Sequence, residues 1–88
     1  MTALEFVNTV ADEQERPLLK MDGYDDCIVG IGRRFNDSFV VYDVDKVLER
    51  LMSAGMTMEE ATEYFEFNQA GAWVGEGTPA FLQFPPKD

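Results

Sequence analysis

The chain contains no histidine and a single cysteine, Cys27. The first absence removes the commonest general base and the commonest metal ligand. The second rules out an internal disulfide and every usual zinc pattern, and it leaves Cys27 a poor nucleophile with no His to activate it. A lone cysteine of this kind is expected as a small buried hydrophobe. Bases are scarce: seven Lys and Arg stand against seventeen Asp and Glu, a net charge of −10 over 88 residues. Direct nucleic-acid binding needs clustered Lys and Arg, so it is disfavoured. No apolar run approaches a membrane span, and "MTALEFVNTVADEQERP" has neither a basic n-region nor a small-residue cleavage site. The expectation is a cytoplasmic protein with no membrane partner, no cofactor and no metal.

What is present is one modest domain's worth of chain, 45% hydrophobic and rich in aromatics. Thr2 and Glu5 have capping-box spacing, and Ala3, Phe6, Val7 and Val10 follow at helical intervals, which predicts a short helix over 3–11. A polar connector broken by Pro17 and Gly23 comes next. Residues 1–22 are thus read as an N-terminal helix with its connector, and 23–88 as the main domain. "CIVGIGRR" alternates, with Cys27, Val29 and Ile31 on one face and Ile28, Gly30 and Gly32 on the other. It predicts a strand over 26–33 whose glycine stripe lets a backbone or a large ring lie close. "FNDS" supplies turn residues, Asn36 and Asp37 tolerating left-handed backbone, and "SFVVYD" is a second strand over 38–43. The two form an antiparallel hairpin with a four- or five-residue loop.

Asp43 is a good N-cap for a helix carrying Val44, Val47, Leu48, Leu51 and Met52 on one stripe, closed by Gly55. Thr57 to Glu60 is a second capping box, so another helix, "MEEATEYFEFNQAGAW", starts at once. On it Met58, Ala61, Phe65 and Asn68 share a face, with Tyr64 and Phe67 beside it. Glu59, Glu63 and Glu66 line the opposite side without a basic partner four residues away. "TPAFLQFPP" predicts a proline-bounded edge strand over 80–84. The fold class is therefore α+β: a small antiparallel sheet of two to three strands against a two-helix hairpin, with a short N-terminal helix.

Candidate chemistry is sparse. Gly30-Ile31-Gly32 lacks the third glycine of a dinucleotide fingerprint, and Gly75-Glu76-Gly77-Thr78 has no lysine and so is no phosphate loop. Asp22, Asp25 and Asp26 lack calcium-loop spacing and read as a solvated turn. Arg33 and Arg34 are expected at the hairpin end, paired with Asp37 or the acidic helix; an anchor for an acidic group is the alternative. No catalytic residue is assigned, and the chain is read as a non-enzyme. A core of this size cannot hide all the aromatics, so Phe35 and Trp73 are expected to be partly exposed.

"DDCIVGIGRRFNDSFVVYDVDKVLERLM" followed by "MTMEEATEYFEFNQAGAWVGEGTPAFL" resembles a family of small uncharacterised proteins encoded by tailed bacteriophages and their bacterial relatives. The similarity covers roughly residues 23–82 and carries no catalytic residues. It implies a phage accessory protein acting in the host cytoplasm on a host or phage machine. The partner expected from charge is a basic protein surface, such as that of a host nucleic-acid-binding protein. It would meet Glu59, Glu63, Glu66 and Glu76, with Phe35 and Trp73 as apolar anchors, and nucleic-acid mimicry is the most pointed form of this idea. Two alternatives stay open: a small metabolite-binding or enzymatic domain with a pocket near "GAWVGEGTP", and a self-associating structural protein or homo-oligomer.

Overall fold

A computed structural model describes residues 1–35, 37–71 and 77–86. Helix α1 spans Ala3–Glu13, and its capping box is complete: Glu5 N–H donates to Thr2 Oγ1 (3.1 Å), and Thr2 N–H donates to Glu5 Oε1 (2.9 Å). The Thr2 backbone N–H, and after it the Thr2 hydroxyl, hold the Glu5 carboxyl below its ordinary pKa. The helix outlasts the predicted 3–11, and its buried stripe is Val7 and Val10, while Phe6 turns outward.

Helix α1 closes with a Schellman motif, Arg16 N–H reaching Ala11 O and Glu15 N–H reaching Asp12 O. The left-handed residue of this motif is Glu15 (φ 55), not a glycine. Helix α2 (Val44–Ser53) ends in the same motif with Gly55 (φ 109) in that position; Met56 N–H meets Leu51 O and Gly55 N–H meets Met52 O. Asp43 caps its start by accepting from Asp45 and Lys46 N–H.

A 3₁₀ turn, Asp25–Cys27, leads into strand β1 (Ile28–Arg34), which pairs antiparallel with β2 (Asp37–Asp43). The ladder runs one residue past the expected ends, to Arg34 opposite Asp37, so the expected four- or five-residue loop is not formed. Phe35 takes the left-handed backbone (φ 56) that Asn36 and Asp37 tolerate better. Asp37 is in the strand, and Asn36 lies outside the described residues.

The simple alternation expected for β1 fails at one place. Ile28 pairs with Tyr42 and Gly30 with Val41, which leaves Val29 as the extra residue of a bulge. The bulge turns Val29 outward, and it brings both Ile28 and Ile31 onto the core face with Val40 and Tyr42. Gly30 and Gly32 share the opposite face with Val41 and Phe39. The Phe39 ring fills the space over Gly32, where an added Cβ would lie 2.3 Å from the ring edge, while nothing lies within 4 Å of one at Gly30.

Strand β3 spans Ala80–Leu82, and the sheet order β1-β2-β3 makes it an edge, as its flanking prolines suggest. The fold is α+β, with a sheet that is mixed and not purely antiparallel, because β3 runs parallel to β2. The cause is a contact distant in sequence: Gly77 N–H donates to Asp37 Oδ2 at 3.2 Å. This ties the chain after the helices to the hairpin end of β2. From there it can only ascend alongside β2, placing Ala80 opposite Val41. A parallel pair needs a long crossover, which residues 44–79 supply.

Helix α3 spans Met58–Tyr64, starts in the expected Thr57/Glu60 capping box, and continues as a π-helical segment, Phe65–Ala70. One core gathers Val7, Cys27, Ile28, Val40, Tyr42, Val44, Val47, Leu51, Ala61 and Phe65. Phe81 of β3 joins it, packing edge-on against Phe65 (4.9 Å between centroids) and tilted against Tyr42 (5.9 Å). Val7 belongs to this core, so α1 is docked on the same domain.

Candidate functional site

Two surface features stand apart from the core. The first is the outer face of α3 and its π extension. Burial of Ala61 and Phe65 fixes which side of the helix faces the sheet, and Glu59, Glu63 and Glu66 consequently all point to solvent. Among the described residues none of the three is in an ion pair; the ion pair present is Arg50 with Asp26 at 3.3 Å, half-exposed and worth little. No Lys or Arg occurs between Arg50 and Lys87. Glu59 and Glu60 lie in the first turn, where the helix dipole favours acids. Glu63 and Glu66 have no such compensation.

This face also carries Phe67, which was expected beside the buried side and is instead 78% exposed. On a wheel of 3.6 residues per turn Phe67 follows Glu63 by four positions, which sets it among the acids. That spacing was the signal available in the sequence. Tyr64 and Met58 are also substantially exposed at its margins. The acidic face therefore has an aromatic of its own. The π segment in which Glu66 and Phe67 sit is a rare geometry, common at functional sites.

The second feature is the hairpin end. Phe35 is almost wholly exposed, at 98%. It does not join the acidic face. Phe65 meets Phe81, which in turn packs on Tyr42 at one end of β2, and the five residues from Tyr42 back to Asp37 carry the chain about 17 Å away. The expected partner set thus separates into Glu59, Glu63 and Glu66 on the helix and Phe35 at the hairpin; Trp73 and Glu76 lie outside the described residues.

Beside Phe35 a cleft of about 650 Å³ opens between the connector and the hairpin. Arg16, Pro17, Leu18, Leu19, Arg34 and Ser38 line it, with Asp37 and Gly77 at its wall. The expected pairing of Arg33 and Arg34 with Asp37 or the acidic helix is not formed. Asp37 is turned to Gly77 N–H instead.

Cys27 is buried as expected, though in the 3₁₀ turn and not in the strand. Burial, and then the neighbouring Asp26 carboxylate, push its thiol up to about 11, so at neutral pH it is protonated and a weak nucleophile. Asp26 accepts from Arg50 and sits beside this thiol, and among the described residues no group of three or more His, Cys, Asp or Glu side chains is placed to hold a metal. No helix among the described residues is long and apolar enough to cross a membrane. Comparison with protein-family models, with curated proteins and with solved structures finds no match to the chain.

Proposed function

We propose that this protein is a small acidic binding protein that acts without catalysis and engages a basic protein surface through the outer face of α3 and its π extension. The observation that carries this reading is the conjunction on one face of three exposed carboxylates, none in an ion pair among the described residues, and a largely exposed phenylalanine. Charge supplies steering and orientation, and an aromatic at the centre of a patch supplies the contact energy. The finer form of the proposal follows the resemblance: a phage accessory protein that occupies the nucleic-acid channel of a host or phage protein in the host cytoplasm. Glu59, Glu63 and Glu66 span about 10 Å along the axis at 1.5 Å per residue. That is the axial length of about three phosphates of one DNA strand.

The test compares the wild type with E59Q/E63Q/E66Q and with F67A, using the partner recovered from bacterial lysate by affinity capture. Exposed ion pairs contribute about 0.2–1 kcal/mol each, so the triple variant should bind roughly three- to 150-fold more weakly. Its salt dependence should flatten too, because screening acts on those charges. F67A should weaken binding and leave the salt slope alone. A triple variant with unchanged affinity and unchanged salt slope refutes the acidic-face reading.

A further inference from the structure

The hairpin-end cleft is at odds with the rest of the molecule. In a chain of net charge −10, two of the seven bases, Arg16 and Arg34, line one cleft. Neither is in an ion pair among the described residues. The backbone that presents them is unusual in the same two places. Among the described residues the non-glycine residues with positive φ are Glu15 and Phe35, the immediate neighbours of Arg16 and Arg34. Left-handed backbone costs an ordinary residue about 1–2 kcal/mol, and such outliers cluster where a ligand is held. Phe35 stands at the rim with a free ring face, and Pro17, Leu18 and Leu19 give the cleft an apolar wall.

We propose that this cleft binds a small organic phosphate carrying a planar ring, of the nucleoside monophosphate class. Two guanidinium groups offer more donors than a carboxylate has oxygens, whereas a phosphate can accept from both and from the Ser38 hydroxyl. The Asp37 carboxylate at the wall lowers the local charge to about one positive unit. It is already engaged by Gly77, which suits one phosphate better than several. The cleft's volume lies within the range of small-molecule sites. Phe35 is placed to stack on the ring, a contact worth about 1–3 kcal/mol per base. A nucleic-acid polymer is excluded by range: with a Debye length of about 8 Å at physiological salt, a single phosphate senses the two arginines, while a longer strand would also meet the acidic surface beyond them. The site is separate from the α3 face, so each proposal can fail without the other.

The experiment titrates the full chain with adenosine 5′-monophosphate, following backbone amide shifts, with adenosine, inorganic phosphate and a single-stranded oligonucleotide as comparisons. Saturable shifts at Arg34, Ser38 and Gly77 are expected with the monophosphate. Adenosine and phosphate alone should each bind about tenfold or more weakly, and R16Q and R34Q should each lose about tenfold, in line with charge-assisted bonds. E59Q/E63Q/E66Q should bind as the wild type does. Absence of shifts at about 5 mM monophosphate, an affinity unchanged in both arginine variants, or tighter binding of the oligonucleotide would overturn the proposal.

Discussion

Replacing Tyr42 with phenylalanine tests how the N-terminal third is fastened. Tyr42 is wholly buried in β2, and its hydroxyl accepts the Met21 N–H at 2.7 Å, 21 residues back along the chain. The connector from Gln14 to Tyr24 has no ladder to hold it. Leu18, Met21 and Tyr24 pack against the core, and this bond sets their register. Removing the oxygen leaves the Met21 N–H without an acceptor. A typical bond contributes about 1 kcal/mol, and a stranded buried donor costs about 1–3 kcal/mol. Met21 is half-buried, so water reaches it in part, and the lower range applies: a loss of about 1–2 kcal/mol. For a domain of this size that lowers Tm by roughly 5–10 °C. Urea unfolding should show a lower midpoint at unchanged slope, and amide exchange at Met21 should speed up more than at Val40. Burial also raises the Tyr42 pKa above its ordinary 10.0. The folded state therefore favours the neutral phenol; that stability is complete below pH 10 and is lost as pH rises through the folded value. The gap between wild type and Y42F should accordingly narrow in strong alkali. A Y42F protein as stable as wild type, or one in which Met21 exchange is unaltered, would refute the tether.

The remaining expectations concern backbone and packing. E15G places glycine in the left-handed position that closes α1, the residue α2 already uses there, and should raise stability by about 0.5–1 kcal/mol in thermal melts; a loss would show that the Glu15 side chain matters more than its backbone. G32A drives a methyl into the Phe39 ring and should cost about 1–2 kcal/mol, as overpacking does. G30A meets open space and should stay within about 0.5 kcal/mol of wild type. In a double-mutant cycle F39A should cancel most of the G32A cost, and simple additivity would contradict the ring-over-glycine packing.

What could be read from the sequence was what neighbouring residues decide. Both capping boxes, the Asp43 cap and the Gly55 closure depend on residues within one turn, and each forms as the spacing required. What could not be read depends on partners far along the chain. Alternation assigns strand faces only where a ladder is unbroken, so the bulge at Val29 moved Ile28 to the core side unannounced. The direction of β3 rests on Gly77 meeting Asp37, 40 residues away, and no local pattern in "TPAFLQF" encodes it.

The acidic face shows the same division. Its carboxylates were evident because charge without a partner is visible in a list of residues. Its aromatic was not, because Phe67, although one turn after Glu63, stands next but one to the core residue Phe65 and reads as flanking the buried side; burial of Phe65 against Phe81 resolves it. Phe65 can face inward only if the helix docks with Glu63 and Phe67 outward, so the packing that completes the core also creates the exposed patch. A substitution that loosens the Phe65–Phe81 contact should therefore disturb partner binding through Phe67 as well as stability. F81L, which keeps an apolar side chain but removes the edge-on ring contact, should lower stability by about 0.5–1.5 kcal/mol. It should also weaken partner binding while leaving the salt slope, which the carboxylates set, as it is in the wild type. If F81L lost stability but bound its partner unchanged, the orientation of the face would have to be fixed by α3 alone, through Ala61.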